Sequence, residues 1–332
     1  MKIKFLLLII ACAVIASCSK NNSIDEVAPT ITTAGESSTV LYIDTFRVYS
    51  TNLKGEDRKL LVNEDLKSEN NYIMSTSIIP GSNKIVYSYT TGYLDPTTIK
   101  VAAADGSTKA IVKTFPAGER VGFVKGMVGN KIYYSVSKNQ GGVSSVNYYS
   151  MNEDGTGETE IKGFPYYSFM KESTISNQGK GFLANAGYFA KIKDGIFLEQ
   201  ESFNVLANEN KTDIMGDIVV ANDASKIAWV AKTSTDGKYE IRVKDITTKT
   251  TSSTVAFTYT VPPAFVGNVF NDFFNLYWVN GNKKLLLEYG KFTFPKGAAS
   301  DYSFCQIIDI ATGTAGATWN FTGDGNSQIL VN

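Results

Sequence analysis

Short apolar, aromatic-rich segments recur along this chain, each led by polar residues. They stand at Thr39-Val40-Leu41-Tyr42, Lys84-Ile85-Val86-Tyr87, Lys131-Ile132-Tyr133-Tyr134, Lys180-Gly181-Phe182-Leu183, Lys226-Ile227-Ala228-Trp229 and Lys284-Leu285-Leu286-Leu287. Successive starts lie 45, 47, 49, 46 and 58 residues apart. Brief runs rich in β-branched and aromatic residues, bounded by polar turns, predict strands. A period in the forties predicts an array of small sheets, each too small to bury its apolar faces alone and therefore stacked on its neighbours.

Each unit has an internal order. After the apolar strand and a polar loop, a second strand ends in a turn: Ile99-Lys100-Val101 before Asp105-Gly106, Val146-Asn147-Tyr148-Tyr149 before Asp154-Gly155, Ile241-Arg242-Val243 before Thr247-Thr248-Lys249, and Ile307-Ile308-Asp309-Ile310 before Thr312-Gly313. Asp-Gly between apolar runs marks a tight hairpin, because glycine accepts the positive φ that such turns require. A third strand follows, as in Ala110-Ile111-Val112 and Thr159-Glu160-Ile161, so each unit reads as a meander. The expected fold is all-β: a six-bladed β-propeller of four-stranded antiparallel blades over residues 38–332, about 49 residues per blade. Unit one lacks a strand before Thr39, and Ser327-Gln328-Ile329-Leu330-Val331 at the other end of the chain is expected to supply it, closing the ring. A stack of β-sandwich domains is the competing reading of the same strand spacing.

These units resemble the TolB-like propeller repeat, in which a strand of the type Lys-Lys-Ile-Ala-Phe leads, through a loop and a second strand, to a turn such as Asp-Leu-Ala-Thr-Gly or Asp-Gly-Ser. The resemblance is clearest at Asn280-Gly281-Asn282-Lys283-Lys284-Leu285-Leu286 with Ile308-Asp309-Ile310-Ala311-Thr312-Gly313. It is nearly as clear at Asn222-Asp223-Ala224-Ser225-Lys226-Ile227-Ala228-Trp229 with Val243-Lys244-Asp245-Ile246-Thr247-Thr248. The fourth unit departs from it, with Gly181 in the leading strand and no clean second turn. The resemblance implies a partner-binding protein of the cell envelope.

The N-terminus points to the same compartment. Lys2 and Lys4 precede an apolar run from Phe5 to Ala16, followed by Ser17, Cys18 and a polar stretch. The run falls short of the roughly 18 apolar residues that a membrane-spanning helix needs, and it ends in small residues, as a signal peptide does. Ile15-Ala16-Ser17-Cys18 resembles the lipobox of bacterial envelope lipoproteins, here of the Bacteroidetes type. Residues 1–17 are then a signal peptide, Cys18 is the lipidation site, and residues 18–37 are a polar tether of roughly 25 Å end to end. Several acyl chains make a durable anchor, since each buried methylene contributes about 0.8 kcal/mol. An ordinary secretory signal cut near Ala13 or Ser17, with Cys18 a free thiol, is the alternative. With Cys12 in the discarded peptide and Cys18 lipidated, Cys305 is left alone and the fold has no intramolecular disulfide. The outer membrane is the expected location.

Charge and chemistry narrow the function classes. Lys plus Arg and Asp plus Glu are 32 each, and loss of Lys2 and Lys4 leaves a slight negative excess, which offers no field for nucleic acid. The chain has no histidine, which excludes Ser-His-Asp and Cys-His catalysis and His-ligated metals. Glu199 with Glu201 and Asp213 with Asp217 are the carboxylate pairs available for a glycosidase or lyase, although surface solvation accounts for most such acids. Asn152-Glu153-Asp154-Gly155-Thr156-Gly157-Glu158 imitates the start of a calcium loop, but Gly163 stands where the closing acid belongs, so a hairpin fits Asp154 better.

The aromatic run Phe270-Asn271-Asp272-Phe273-Phe274-Asn275-Leu276-Tyr277-Trp278 reads either as a stacking platform for a ligand or as packing between blades, and packing is favoured. Trp229 and Trp319 take the same packing reading, while Tyr166-Tyr167 are better placed for an exposed loop. No catalytic residue, metal or cofactor is assigned. The partners expected are membrane lipid, through acylated Cys18, and a protein or small ligand. The expected role is a non-catalytic binding or scaffolding module, with capture of a glycan or siderophore-type nutrient, or carboxylate-based hydrolysis or elimination, as alternatives.

Overall fold

The computed structural model describes residues 39–332 apart from 45, 65–71, 93–94, 141–142, 163–175, 177–180, 185–187, 194–195, 205, 207–208, 236–237, 259–269, 280–281, 294–301, 321–327 and 332. The predicted signal peptide, Cys18 and the tether therefore lie outside the described residues, as do Tyr166, Tyr167 and Gly163. Among the described residues no helix is long and apolar enough to cross a membrane.

Among the described residues the strands form six antiparallel sheets in chain order. Sheet one begins with β1 (Thr39–Asp44), β2 (Arg47–Asn52) and β3 (Lys59–Asn63). Sheet two holds β4 (Tyr72–Ile79), β5 (Lys84–Thr90), β6 (Thr97–Ala103) and β7 (Lys109–Phe115). Sheet three holds β8 (Glu119–Met127), β9 (Lys131–Gln140), β10 (Val143–Asn152) and β11 (Thr159–Glu160). Sheet four has three strands, β12 (Gly181–Ala184), β13 (Tyr188–Lys193) and β14 (Ile196–Asn204). Sheet five holds β15 (Ile214–Val220), β16 (Lys226–Lys232), β17 (Lys238–Asp245) and β18 (Thr251–Thr258). Sheet six holds β19 (Phe270–Val279), β20 (Lys284–Thr293), β21 (Tyr302–Asp309) and an outer strand broken into β22 (Thr314–Ala315) and β23 (Trp319–Asn320). Finally β24 (Gln328–Val331) returns to pair with β1, giving sheet one the order β24-β1-β2-β3.

The architecture is a β-propeller with four-stranded antiparallel blades, of which five are complete; sheet four shows three strands. The recurrent Lys-led strand is the second strand in each of sheets two, three, five and six, as β1 is in sheet one. Packing explains why it is the most apolar. It is buried on both faces, so the usual alternation of polar and apolar residues gives way to a continuous run. Ile85, Tyr87 and Tyr89 pack with Leu41, Ile43 and Val48 of sheet one, while Val86 points the other way and packs with Val121, Ile132 and Tyr134 of sheet three. Sheets five and six share a cluster of Val219, Ala228, Ile241, Phe274, Trp278 and Leu287. Sheet six in turn packs on sheet one, where Val40 meets Val279, Leu286 and Cys305.

The turns at the outer edge are of two kinds. In sheets one to three, Gly55, Gly106 and Gly155 donate to the carbonyl three residues back, at Asn52, Ala103 and Asn152, with φ of 77°, 76° and 85°. In sheets five and six the bond spans one residue more, from Lys249 to Asp245 and from Gly313 to Asp309. The predicted Asp-Gly and Thr-Gly turns are present as read, and the second kind differs because the positive φ comes later, at Lys249 and Gly313.

Candidate functional site

Turn acids and strand lysines organise one face of the propeller. Lys226 is the register partner of Asp245 and Lys284 of Asp309. Each aspartate accepts backbone N–H bonds from its own turn, Asp245 from Thr247 and Thr248, Asp309 from Ala311 and Thr312. Those amides, joined by the nearby lysine charge, hold both carboxyls below the ordinary range. Asp154 behaves likewise. The Thr156 hydroxyl and amide both donate to its Oδ1, so it is the hinge of a hairpin. Among the described residues no group of three Cys, Asp or Glu side chains is arranged to hold a metal ion.

Other carboxylates clamp one sheet to the next. Glu64, just beyond β3, accepts from the Tyr87 hydroxyl at 2.6 Å and from Lys100 at 2.9 Å, both in sheet two. Burial pushes its carboxyl up, but these two donors with Lys109 outweigh burial and hold it below the usual range. Glu209, preceding sheet five, binds Arg242 at 3.2 Å and Thr251 at 2.9 Å, with Lys244 at 3.6 Å. Glu158 is shared by Tyr134 of its own sheet and Lys113 of sheet two. These acids look catalytic by type, yet each is committed to a fixed cation and hydroxyl.

Sheet six carries a different group. Asn275, Glu288 and Cys305 lie abreast on β19, β20 and β21 and face sheet one. Glu288 is buried, and its Oε2 accepts from Asn275 at 3.0 Å and Tyr277 at 3.1 Å. With no cation paired to it among the described residues, burial raises its pKa and favours a protonated carboxyl. Burial also pushes the Cys305 thiol up, so it is an inert core residue.

The residues singled out in the sequence are dispersed. Glu199 and Glu201 lie on β14. Asp213 accepts from Asn210 at 2.9 Å in the turn before β15, and Asp217 lies within β15 beyond Gly216. The described part of the aromatic run is packing. Phe274 and Trp278 are buried against sheet five, the Trp278 indole donates to the Val219 carbonyl at 3.2 Å, and Tyr277 serves Glu288. Trp229 is buried within sheet five, and Trp319 lies against Gly55 of sheet one.

Among the described residues an open crevice lies on the turn face, between sheets five and six. It is a crevice of about 450 Å³ lined by Lys226, Asp245, Asn282, Lys283 and Asp309, with Val243, Ile310 and Ala311 as its apolar wall. The Thr250 and Ser252 side chains complete it. Sequence reading did not single out this site; the signal was there in Lys226 and the Asp309 turn, taken only as repeat markers.

No family model and no curated protein matches this chain. Solved structures do. A prolyl endopeptidase structure has a TM-score of 0.50 at 11% identity, over 90% of this chain and 49% of that one. A 6-phosphogluconolactonase-like protein from Bacteroides fragilis has a TM-score of 0.47 at 11% identity, over 89% of this chain and 98% of that one. An oligogalacturonate lyase in complex with manganese has a TM-score of 0.45 at 13% identity, over 86% and 74%. At such identities the likeness is one of fold alone.

Proposed function

We propose that this chain is a non-catalytic binding or scaffolding module of the bacterial envelope, a six-bladed propeller tethered to the outer membrane through lipid on Cys18. The observation that carries the binding role is the asymmetry of the connections. Links between first and second strands, and between third and fourth, are short hydrogen-bonded turns on one face. On the other face the strands end at Asn63, Asn204, Thr258 and Thr293, with eight or more residues between each and the next strand. A rigid scaffold presenting long loops at one end is suited to grip a partner.

Six blades in a closed ring are supported by three equivalent contacts. A Cβ on Gly106 would meet the Leu61 carbonyl of the preceding sheet at 2.7 Å, and one on Gly155 would meet that of Val112 at 2.5 Å. One on Gly55 would meet the Trp319 ring at 2.6 Å, so sheet one sits on sheet six as two sits on one. Sheet four matches sheet five at the turn into its first described strand. The Ser176 N–H donates to the Gly181 carbonyl, as Ala221 does to Lys226 at the same turn of sheet five. The lipid anchor rests on Ile15-Ala16-Ser17-Cys18 and the TolB-like resemblance on the repeats.

The test is membrane fractionation with affinity recovery. The native chain is expected in the outer-membrane fraction, and Cys18→Ala in the soluble fraction. Cross-linking in intact cells, followed by recovery through an affinity tag, should bring down a defined protein partner. Release of the native chain without detergent would refute the anchor. Failure to recover a protein, with turnover of a glycan by the purified chain, would replace binding with catalysis.

A further inference from the structure

The crevice between sheets five and six has an occupied counterpart elsewhere in the molecule. Ala104, Glu153, Ile246 and Ile310 are equivalent. Each follows the third strand of its sheet, and its N–H donates to the carbonyl of the residue just before the leading Lys, at Asn83, Asn130, Ser225 and Lys283. From sheet three, Glu153 reaches back to Lys84 of sheet two at 2.6 Å. In sheet six the same position is Ile310, so Lys226 of sheet five, the equivalent of Lys84, receives no such carboxylate. Among the described residues no acid forms an ion pair with Lys226, although its charge is felt by Asp245. Where sheet one meets sheet six, the corresponding Leu53 packs into the core and the outer turn is covered by Trp319. At the junction of five and six the space is open instead.

The charges lining that space are balanced, with Lys226 and Lys283 against Asp245 and Asp309. A bare anion would satisfy the lysines and be repelled by the aspartates, and a bare cation would meet the reverse. A molecule carrying both charges is matched by the lining, and its side chain can rest on Val243, Ile310 and Ala311. A volume of about 450 Å³ accommodates something the size of a dipeptide. We infer that this crevice binds a small amino-acid-like zwitterion, whose carboxylate stands beside Lys226 as Glu153 stands beside Lys84 and whose ammonium faces Asp309. The site lies on the turn face, away from the long loops, and holds with or without the envelope role above.

Isothermal titration calorimetry on the full chain in detergent tests this, with L-alanyl-L-valine, its N-acetyl derivative and its C-terminal amide as probes. The free dipeptide is expected to bind saturably below about 1 mM, corresponding to roughly 4 kcal/mol or more of binding free energy. Each blocked derivative is expected to bind at least tenfold more weakly. Lys226→Gln should weaken the dipeptide tenfold or more. Ile310→Glu supplies Lys226 with the carboxylate that Lys84 has, and it should abolish binding while leaving the melting temperature unchanged or higher. No saturable binding up to 10-fold that concentration would overturn the proposal. So would equal affinity for either blocked derivative, or undiminished affinity in Ile310→Glu, which remains decisive even where Lys226→Gln fails to fold.

Discussion

Glu288 stands where the leading strands of sheets two, three and five carry Ser88, Ser135 and Val230. A carboxyl there has two neutral donors and no cation, so burial dominates its titration and the folded state holds its proton more tightly than the unfolded chain does. The sign follows from linkage. Stability from this group is fully present below the ordinary carboxyl pKa and is lost as pH rises toward the raised folded value. Glu288→Gln keeps the two acceptor bonds without a titrating proton. Its melting temperature is therefore expected to match the native protein at pH 4 and exceed it at pH 8. Equal melting temperatures at both pH values would show that Glu288 is not held protonated. Neighbouring Cys305, fully buried with a raised pKa, should resist thiol reagents until the protein is unfolded, as a colorimetric titration would reveal.

At the level of elements, outer turns and carboxylate clamps join one sheet to the next. Gly55 combines φ of 77° with the Trp319 ring, whereas Gly81 has φ of 83° and nothing within 4 Å of where a Cβ would stand. Gly81→Ala should therefore cost about 1 kcal/mol, from backbone conformation alone. Gly55→Ala should cost roughly 2–4 kcal/mol, because the ring must also move. Urea denaturation of the two variants measures the difference, and equal losses would mean that the Trp319 contact contributes nothing. Glu64→Gln breaks a mostly buried ion pair with Lys100 and should cost on the order of 2–3 kcal/mol at pH 7. Because the folded carboxyl is held below its usual range, this contribution is lost as pH falls through that depressed value. The variant and native chains should converge in stability in acid.

Across the whole molecule, β24 completes sheet one from the far end of the chain. Removing residues 328–332 leaves β1 as an unpaired inner edge, and the truncated chain should melt at lower temperature and self-associate on size exclusion. Much of this architecture was legible in the sequence. The leading strands stood out because burial on both faces removes the usual alternation, and the Asp-Gly turns because Gly106 and Gly155 need positive φ. The return of Gln328–Val331 followed from the missing partner of β1. The clamps were hidden, since Glu64, Glu158 and Glu209 are local acids whose partners are fixed only once sheets stack. The crevice was hidden for the same reason. Its lining comes from two units, and periodicity marks the positions that recur without showing which junctions between sheets they leave open.

The pairing of β24 with β1 also sets an order of events during synthesis. Sheet one must wait for residues 328–331 before it has its full complement of strands, although the sheets between are built from strands local in the chain. Contacts separated by nearly the whole chain form slowly. Until those residues arrive β1 keeps an open edge, and sheet one takes its final shape only once they pair with it.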